Sequence, residues 1–462
     1  MKNFKFSTII IILVLGIYHV PYVVEWFLGH ARFRHIQMNN VLTERICDAF
    51  GIFIVLIFLL SITYKKYWNG QTFKKVIPAI SLVFIFVTSF YLIKEIYSNF
   101  RAVDKLYTYY KKNIGILGNV FTADDTLGHR GVPNGYGLSV YPLQNRQINI
   151  PILLNNEGFR IPAKIQNADS DTLMMFLGCS FTWGDYSLAE DNYSSQAINL
   201  LKYKSLNCGT DAYGLAQMLI LAERKIPQHL PKVVSIQYSP WLADRARFMF
   251  FPSAHGVMPF PFVTKNKDAK FYIHAPFFRS SLYNLDYKYY KMSPVSFADK
   301  FSFFFKVGFP VAILDSWRQR FVQLKMNVGI LPTAESDNQK IEKYVYERIY
   351  ELCKQNGARM VVLNIGGFGY SDEERISNHY DRKHFQETMN SELINNVTFV
   401  DADSVLRAGI KPKENYSKYI QWAKIGKTDS IIYDNHPNPM AHKIIAKILV
   451  DKMKKKQAGS KN

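Results

Sequence analysis

Three long apolar runs in the first hundred residues predict membrane-spanning helices. They cover Ser7–Val24, Ala49–Tyr64 and Ile77–Ile93. A helix that crosses a bilayer needs roughly 20 mostly apolar residues, and these runs reach that length with their flanks. Buried core helices are the alternative, but such helices normally have a polar face, which these runs scarcely show. We therefore expect an all-α membrane domain of three spans over residues 1–98.

Basic residues beside the spans predict their orientation. The lysines on one side are Lys2, Lys5, Lys65, Lys66, Lys74 and Lys75. The loop between the first two spans is less basic, although Lys94 and Arg101 follow the third span on the other side. No small-residue cleavage site follows the first run, so it is expected to stay as an anchor. The prediction is a protein of the bacterial inner (cytoplasmic) membrane whose remaining chain is extracytoplasmic, that is, periplasmic.

From Thr172 onward, short apolar runs alternate with amphipathic stretches. The predicted strands are Thr172–Leu177, Ser205–Asn207, Val233–Tyr238, Met360–Ile365 and Val397–Asp401. The predicted helices are Ser194–Tyr203, Leu215–Ile226, Gln339–Gln355 and Met440–Lys455. Alternation of this kind predicts an α/β fold, a mostly parallel sheet with helices on both faces.

The domain organisation follows from where this alternation stops. Residues 99–169 contain turn sequences such as Gly131-Val-Pro-Asn-Gly, which predict a linker and short strands. Residues 170–457 form the α/β domain, with an aromatic-rich insertion at about 245–338. Within the insertion, Lys300–Leu314 predicts a helix packed on the sheet, with a lid or a membrane-interface segment as alternatives.

The net charge of +20 raises the question of an anionic partner. Much of the excess lies beside the spans and in the carboxyl-terminal tail, and no nucleic-acid-binding signature is present. We therefore expect no nucleic acid partner, and a solvated basic surface that faces lipid headgroups or an acidic glycan.

The cysteines have no metal-ligand spacing, so no metal site is predicted. They are Cys47, Cys179, Cys208 and Cys353. A disulfide between Cys179 and Cys208 is possible outside the cytoplasm, but two free buried thiols are favoured.

A serine follows almost directly after the first apolar strand of the α/β region, in Gly178-Cys-Ser-Phe-Thr-Trp-Gly184. Open parallel sheets place their sites at the carboxyl ends of strands, which is where Ser180 falls. Near the other end of the chain, Asp434-Asn-His-Pro-Asn438 precedes the last predicted helix. A serine hydroxyl needs a base, and an imidazole serves best beside a carboxylate. Ser180, His436 and Asp434 are therefore the candidate catalytic residues, whereas His442 is expected on the surface of the last predicted helix.

Both segments resemble sequence blocks of the SGNH (GDSL-like) hydrolase and acyltransferase family, in the branch with Gly-Cys-Ser-Phe-Thr. The resemblance extends in separate pieces over about residues 121–455. It implies a flavodoxin-type three-layer α/β/α domain, no metal and no cofactor. It does not include the membrane segment.

The other blocks of the resemblance imply the remaining site residues. The stretch Asn207 to Gln217 matches the second block, with Ala212 at the position of an oxyanion-binding glycine. The implied oxyanion donors are the N–H groups of Ser180 and Ala212, with Gln237 as a further candidate because Ala243 stands where the family has asparagine. Trp241 is an alternative to Gln237, a site held by backbone N–H groups alone is another, and Asn364 is a weaker candidate. The implied substrate-binding residues are Asn207, Gly209, Trp183 and Asp244.

The function implied is that of a membrane-anchored serine acyl-ester hydrolase or O-acyltransferase that acts on acetyl groups of an exported or surface glycan. Its partners would be an acylated carbohydrate or another ester, membrane lipid and a membrane protein that donates the acyl group. One alternative is a glycan-binding or assembly factor of the same fold with weak or no activity. Another is a lipase or thioesterase.

Overall fold

The computed structural model describes residues 115–143, 146–163, 170–253, 256–280, 298, 318–319, 321–322, 325–326, 329–366, 381–410, 416–424 and 431–459. Within these ranges no helix is long and apolar enough to cross a bilayer. The three predicted spans and the helix predicted at Lys300–Leu314 lie outside the described ranges and stay predictions.

The chain divides into two compact units. One comprises Tyr107–Phe251, Met258–Val295 and Ala334–Asn462, and it holds every candidate site residue. The other comprises Met1–Leu106, Pro252–Val257 and Ser296–Thr333. The domain boundaries given above stay a prediction.

The described secondary structure is as follows. The strands are β1 (Gly115–Asp124), β2 (Gly128–Leu143), β3 (Arg146–Leu154), β4 (Arg160–Ile161), β5 (Leu173–Leu177), β6 (Lys204–Asn207), β7 (Val233–Tyr238), β8 (Phe250–Ser253), β9 (Gly256–Pro259), β10 (Phe262–Lys265), β11 (Phe271–His274), β12 (Arg359–Asn364), β13 (Thr398–Asp401), β14 (Ile420–Lys424) and β15 (Ile431–Pro437). The helices are α1 (Ser180–Trp183), α2 (Tyr193–Leu201), α3 (Leu215–His229), α4 (Trp241–Arg245), α5 (Asn338–Gln355), α6 (Arg382–Thr388), α7 (Ser391–Asn396), α8 (Ala402–Ile410), α9 (Tyr416–Tyr419) and α10 (Pro439–Gly459).

A five-stranded sheet forms the centre of the larger unit. Its spatial order is β13-β12-β7-β5-β6, and the paired strands run parallel. If the five strands are counted along the chain, this is the order 2-1-3-4-5 of doubly wound, flavodoxin-like sheets. The predicted α/β class is therefore confirmed.

Both faces of this sheet are covered. All six residues of β7 are buried, as are the last four of β5. Since successive side chains of a strand point to opposite faces, complete burial requires a layer on each side. Helix α2 packs with α10 and helix α3 packs with α5, which supplies the helical layers.

A second sheet precedes the α/β core and is more regular than the sequence predicts. Strands β1 to β4 pair in chain order, antiparallel throughout, and β2 alone has 16 residues. The sequence Gly131-Val-Pro-Asn-Gly predicts a turn in a region of linker and short strands. It instead forms a bulge within β2, because the register with β1 jumps between Asn119 and Phe121. Asn134 takes the positive φ of 54° that this bulge requires.

Gly178 joins β5 to α1 at a point where no side chain fits. A Cβ there would lie 1.8 Å from Thr182 Oγ1 and 2.7 Å from Gln237 Oε1. We predict that Gly178→Ala lowers the free energy of unfolding of the full-length protein by about 1–3 kcal/mol, as overpacking does. It should also lower ester hydrolysis, since α1 has to shift. Denaturant unfolding and a chromogenic acetate ester measure the two effects.

The matched control is Gly357→Ala, because a Cβ at Gly357 meets nothing within 4 Å. Gly357 has a φ of 65°, so alanine costs about 1 kcal/mol there through backbone strain alone. Activity should survive in this control. Full stability and activity in Gly178→Ala would show that α1 does not depend on this close contact.

Candidate active site

Ser180 lies at the carboxyl end of the central sheet. It is the first residue of α1, three positions after the end of β5, and it is buried. Strand order reverses at β5, since β6 continues to one side of it and β7 to the other. Doubly wound sheets bind ligands at this switch point. The position predicted for Ser180 is therefore the one that the topology favours for a site.

The side chain of Gln237 in β7 forms hydrogen bonds with the start of α1. Its Oε1 accepts hydrogen bonds from the Cys179 N–H at 3.1 Å and from Thr182 Oγ1 at 2.9 Å. Thr182 Oγ1 also lies 2.9 Å from the hydroxyl of Tyr193, whose pKa is raised by burial. The Gln237 Nε2 group donates to Ser239. These bonds set the path of the chain through the serine.

The end of α1 is held by side chains that donate to its carbonyl groups. Asn192 and Asn207 both donate to the Thr182 carbonyl, at 2.6 and 2.9 Å. Arg160, which is buried, donates to the carbonyls of Trp183 at 3.0 Å, Gly184 at 2.6 Å and Ser187 at 2.7 Å. The last carbonyls of a helix have no partner within it. In α1 these side chains supply the partners.

Arg160 also sets the electrostatics under the site. Burial lowers the pKa of its guanidinium to about 10, and the carboxylates of Asp185 and Glu190 act in the opposite direction. The group stays charged at neutral pH, because a pKa near this value lies well above 7. A buried positive charge is tolerated here because carbonyl oxygens and nearby carboxylates surround it.

His436 reaches Ser180 from the other end of the chain. Its Nε2 lies 2.8 Å from Ser180 Oγ. Its ring packs between those of Phe181 and Tyr186, with centroids 5.1 and 5.2 Å away. It belongs to β15, where Asp434 pairs with Gln421 and Pro437 with Ile420, so that a bulge lies between these two pairs. Bulges next to sites commonly redirect a side chain.

Asn438 fixes the chain directly after His436. Its Oδ1 accepts from the Ala441 N–H at 3.1 Å, which caps the start of α10, and its Nδ2 donates to the Lys418 carbonyl. The His-Pro-Asn sequence thus anchors the histidine between a β-bulge and a helix start. Asp434 lies two residues before His436 in β15, and the carboxylate role predicted for it stays a prediction.

The structure gives the predicted substrate-binding side chains other contacts. Trp183 is fully buried and packs on Val120, Ile152 and Leu154. Asn207 Nδ2 donates to the Thr182 carbonyl and to Ser194 Oγ. These two side chains therefore stabilise the fold itself. The local sequence does not show which way these side chains turn, so the prediction could not anticipate these contacts.

Gly209 and Asp244 are also placed by packing. A Cβ at Gly209 would lie 2.7 Å from the Trp183 nitrogen, so the glycine allows the backbones to approach. Asp244 Oδ1 accepts from Asn338 Nδ2 at 2.9 Å and from Arg247, which connects α4 to the start of α5. The contacts of Asp244 are thus with the protein itself.

The predicted oxyanion donors are placed differently from one another. Gln237 Oε1 accepts hydrogen bonds from Cys179 and Thr182, on either side of Ser180, so its side-chain amide stabilises this turn. Asn364 Nδ2 donates to Asp401 at 3.0 Å. Ala212 has a φ of 60°, a left-handed conformation that favours glycine. The donor role of Ala212 stays a prediction.

Three residues near the site were missed or misplaced by the sequence. Asp185 Oδ2 lies 3.7 Å from His436 Nε2, and Tyr186 contacts the same imidazole. The only sequence signal for them is that they directly follow Gly184. His442 was expected on a helix surface but is fully buried against Tyr193. Burial lowers its pKa to about 3, and Arg160 and His436 act in the same direction, so it is neutral.

Cys179, Cys208 and Cys353 are free, buried thiols, which agrees with the favoured prediction for the first two. Burial raises the pKa of Cys208, which keeps it protonated. Across the described residues, no cluster of three His, Cys, Asp or Glu side chains is arranged to hold a metal ion.

No protein-family model matches the sequence, and no curated protein does either. Solved structures give weak matches. A crystal structure of TesA has 9% identity and a TM-score of 0.29, covering 62% of this chain and 99% of its own. A catalytic mutant of Axe2, an acetylxylan esterase from Geobacillus stearothermophilus, has 12% identity and a TM-score of 0.29, covering 62% and 96%.

A carbohydrate esterase family 2 enzyme from Corynascus thermopiles (Myceliophthora fergusii), with its carbohydrate binding domain, has 11% identity and a TM-score of 0.31. It covers 73% of this chain and 90% of its own. Similarity at this level carries no argument about the activity of this chain. The case for a function therefore depends on the geometry of the site.

The left-handed backbone at Ala212 allows a test of whether this position belongs to the active site. We predict that Ala212→Gly stabilises the protein by up to about 1 kcal/mol, because relief of left-handed strain exceeds the entropy that glycine adds to the unfolded chain. Ester hydrolysis should stay equal or rise. Ala212→Val should lose activity, since a β-branched residue disfavours this conformation.

Ala269, which has a φ of 58° in an exposed turn, is the matched control. Ala269→Gly should change stability similarly and leave hydrolysis unchanged. Loss of hydrolysis in Ala212→Gly would contradict the assignment of this backbone position to the site.

Proposed function

We propose that this protein is a serine acyl-ester hydrolase or O-acyltransferase of the SGNH type. Ser180 is the nucleophile, His436 the base and Asp434 the carboxylate that orients the base. The observation that carries the proposal is the distance of 2.8 Å between Ser180 Oγ and His436 Nε2, at the switch point of a doubly wound sheet. This geometry is that of an activated serine, in which an imidazole accepts the hydroxyl proton.

The reaction follows from this contact. His436 Nε2 takes the proton of Ser180 Oγ as the oxygen attacks the ester carbonyl. The leaving alcohol then takes that proton from the imidazolium, and an acyl-serine remains. Water or a sugar hydroxyl next gives a proton to His436 and attacks the acyl-serine. His436 returns that proton to Ser180 Oγ as the acyl–oxygen bond breaks, which restores Ser180 and completes hydrolysis or transfer.

The oxyanion of the tetrahedral intermediate requires donors close to Ser180. We propose that the backbone N–H groups of Ser180 and Ala212 supply them. The fixed path of the chain through α1 supports this role for the first donor, because Gln237 and Arg160 hold the turn from both ends. Donors that are already oriented lower the barrier, commonly by a few kcal/mol each.

The proposed substrate is an acetyl group on an exported or surface glycan. The family resemblance suggests it, and the aromatic rings beside the base are compatible with it. Tyr186 contacts both His436 and Tyr141, the latter with centroids 4.5 Å apart, and both tyrosines are only partly buried. Aromatic faces next to a polar site suit ligands that have both apolar and polar edges.

The membrane context belongs to the same proposal. Three spans within residues 1–98 would anchor the enzyme in the bacterial inner membrane with its site in the periplasm. A transferase on that side would take its acyl group from a membrane partner, because three spans are few for carrying an acyl donor across alone. Membrane lipid and this partner are therefore proposed as its neighbours.

A second candidate is a glycan-binding or assembly factor with weak or no activity. It is favoured by the replacement of two expected oxyanion groups: Ala212 stands in for a glycine with strain at its backbone, and buried Ala243 stands in for an asparagine. A lipase or thioesterase is the other alternative within ester chemistry.

Acetate release tests the proposal. We predict that the full-length protein releases acetate from isolated cell-envelope glycan, and that Ser180→Ala lowers the rate by at least about a thousandfold because the nucleophile is lost. The control is Ser404→Ala, an exposed serine in α8 that should keep the wild-type rate. Long-chain esters are offered in parallel.

Each outcome separates the candidates. Acetate release that survives in Ser180→Ala would overturn the assignment of the nucleophile. Glycan binding without release by the wild type would favour the assembly factor. Cleavage of long-chain esters alone would favour a lipase or thioesterase.

A further inference from the structure

The catalytic imidazole has a carboxylate on the same side as the nucleophile. Asp185 Oδ2 lies 3.7 Å from His436 Nε2, the nitrogen that also lies 2.8 Å from Ser180 Oγ. The side chains of Asp185 and His436 are only 15% and 20% exposed. Screening by water is weak in such surroundings, so the charge of Asp185 acts strongly on the ring.

The position of Asp185 is set by the rigid segment after α1. Its backbone N–H donates to the Ser180 carbonyl at 3.1 Å. The residue before it, Gly184, has a φ of 84° and its carbonyl is held by Arg160. Arg160 also holds the Ser187 carbonyl two residues further on. The carboxylate is thus carried by a backbone that is fixed on both sides.

We propose that Asp185 is a positioning residue for His436, which stabilises the protonated imidazole that forms when Ser180 gives up its proton. This inference rests on the proposed function and deepens it. The imidazolium would lie between the Ser180 oxygen and the Asp185 carboxylate, and an attractive charge in that place favours the charged form of the ring. No bond to Asp185 forms or breaks, and the proton stays on Nε2 until the leaving alcohol takes it.

Several other polar or titratable groups lie near His436. Tyr186 and Ser180 face the ring from the α1 segment, and Asp434 precedes it in its own strand. His442 from α10 interacts electrostatically with His436 and with Arg160 from β4. His442 is neutral because burial lowers its pKa to about 3, so it adds no charge at working pH.

Arg160 opposes Asp185 but does not cancel it. Its guanidinium is directed to three backbone carbonyls, whereas the Asp185 carboxylate reaches the imidazole itself. The net effect of Asp185 is therefore to favour the protonated form of the His436 imidazole. The enzyme would then need a higher pH to reach full activity than it would without this carboxylate.

The test compares wild type with Asp185→Asn, which keeps the shape of the side chain and removes its charge. A carboxylate favours the protonated ring, so its removal lowers the pKa of His436. In the pH profile of kcat/KM for a chromogenic acetate ester, the acid limb should therefore shift to lower pH by about one unit. Asp185→Glu, which restores the charge, should return the limb toward the wild-type position.

The matched control is Glu190→Gln. Glu190 is the other carboxylate that acts on Arg160, and its side chain accepts from the Ala163 N–H. If Asp185 merely balanced the charge of Arg160, both variants would shift the limb. We expect Glu190→Gln to leave it in place. Equal shifts in the two variants would overturn the inference.

A second measurement does not depend on turnover. Diethyl pyrocarbonate modifies neutral imidazoles, so its rate at His436, followed by mass spectrometry against pH, reports the pKa of that ring. In a Ser180→Ala background, Asp185→Asn should still lower this pKa by about one unit. An unchanged pKa would overturn the inference, whereas full activity of Ser180→Ala would overturn the proposed function.

Discussion

A helix of four residues cannot hold itself together, because fixing its first turn costs more than its own hydrogen bonds return. Helix α1, which carries Ser180, is such a helix. Its stability comes from side chains that bind its backbone: Gln237 at its start, and Asn192, Asn207 and Arg160 at its end. The position of the nucleophile therefore depends on contacts from β4, β6, β7 and the segment before α2.

This dependence explains why the antiparallel sheet and the α/β core form one unit around the site. Arg160 lies in β4, at the end of the first sheet, yet its guanidinium binds carbonyls at the end of α1 and in the segment that follows it. Trp183, at the end of α1, packs back on Val120 and Ile152 of the first sheet. Burial of an arginine and a tryptophan at this junction makes the two sheets interdependent. A change in the first sheet is expected to reach Ser180 through Arg160.

Much of the fold could be predicted because its signals are local and periodic. Strand β7 was predicted with the bounds that it has, and α5 differs by one residue at its start. Ser180 and His436 were chosen as candidates because each lies in a distinctive sequence block, Ser180 after a predicted strand and His436 before the last predicted helix. Their approach to 2.8 Å across 256 positions depends on the topology, which the alternation of strands and helices did indicate.

The surroundings of the site could not be predicted, for physical reasons that differ between residues. Trp183 follows the serine by three residues and Asn207 ends β6, but both side chains turn into the core, and sequence alone does not give that direction. Asp185 became notable only through its distance to a histidine from β15. His442 occupies an inward-facing position of α10 and is fully buried. Histidine is less often fully buried than apolar residues, so a surface position was the natural expectation.

The central claim is that His436 activates Ser180. The most direct measurement is labelling of the full-length protein with a fluorophosphonate, which reacts with activated serines, followed by mass spectrometry to locate the adduct. The account predicts an adduct on Ser180 that forms readily in the wild type and is lost in His436→Ala. A folded protein that stays unlabelled at Ser180, or labelling that is undiminished in His436→Ala, would contradict it.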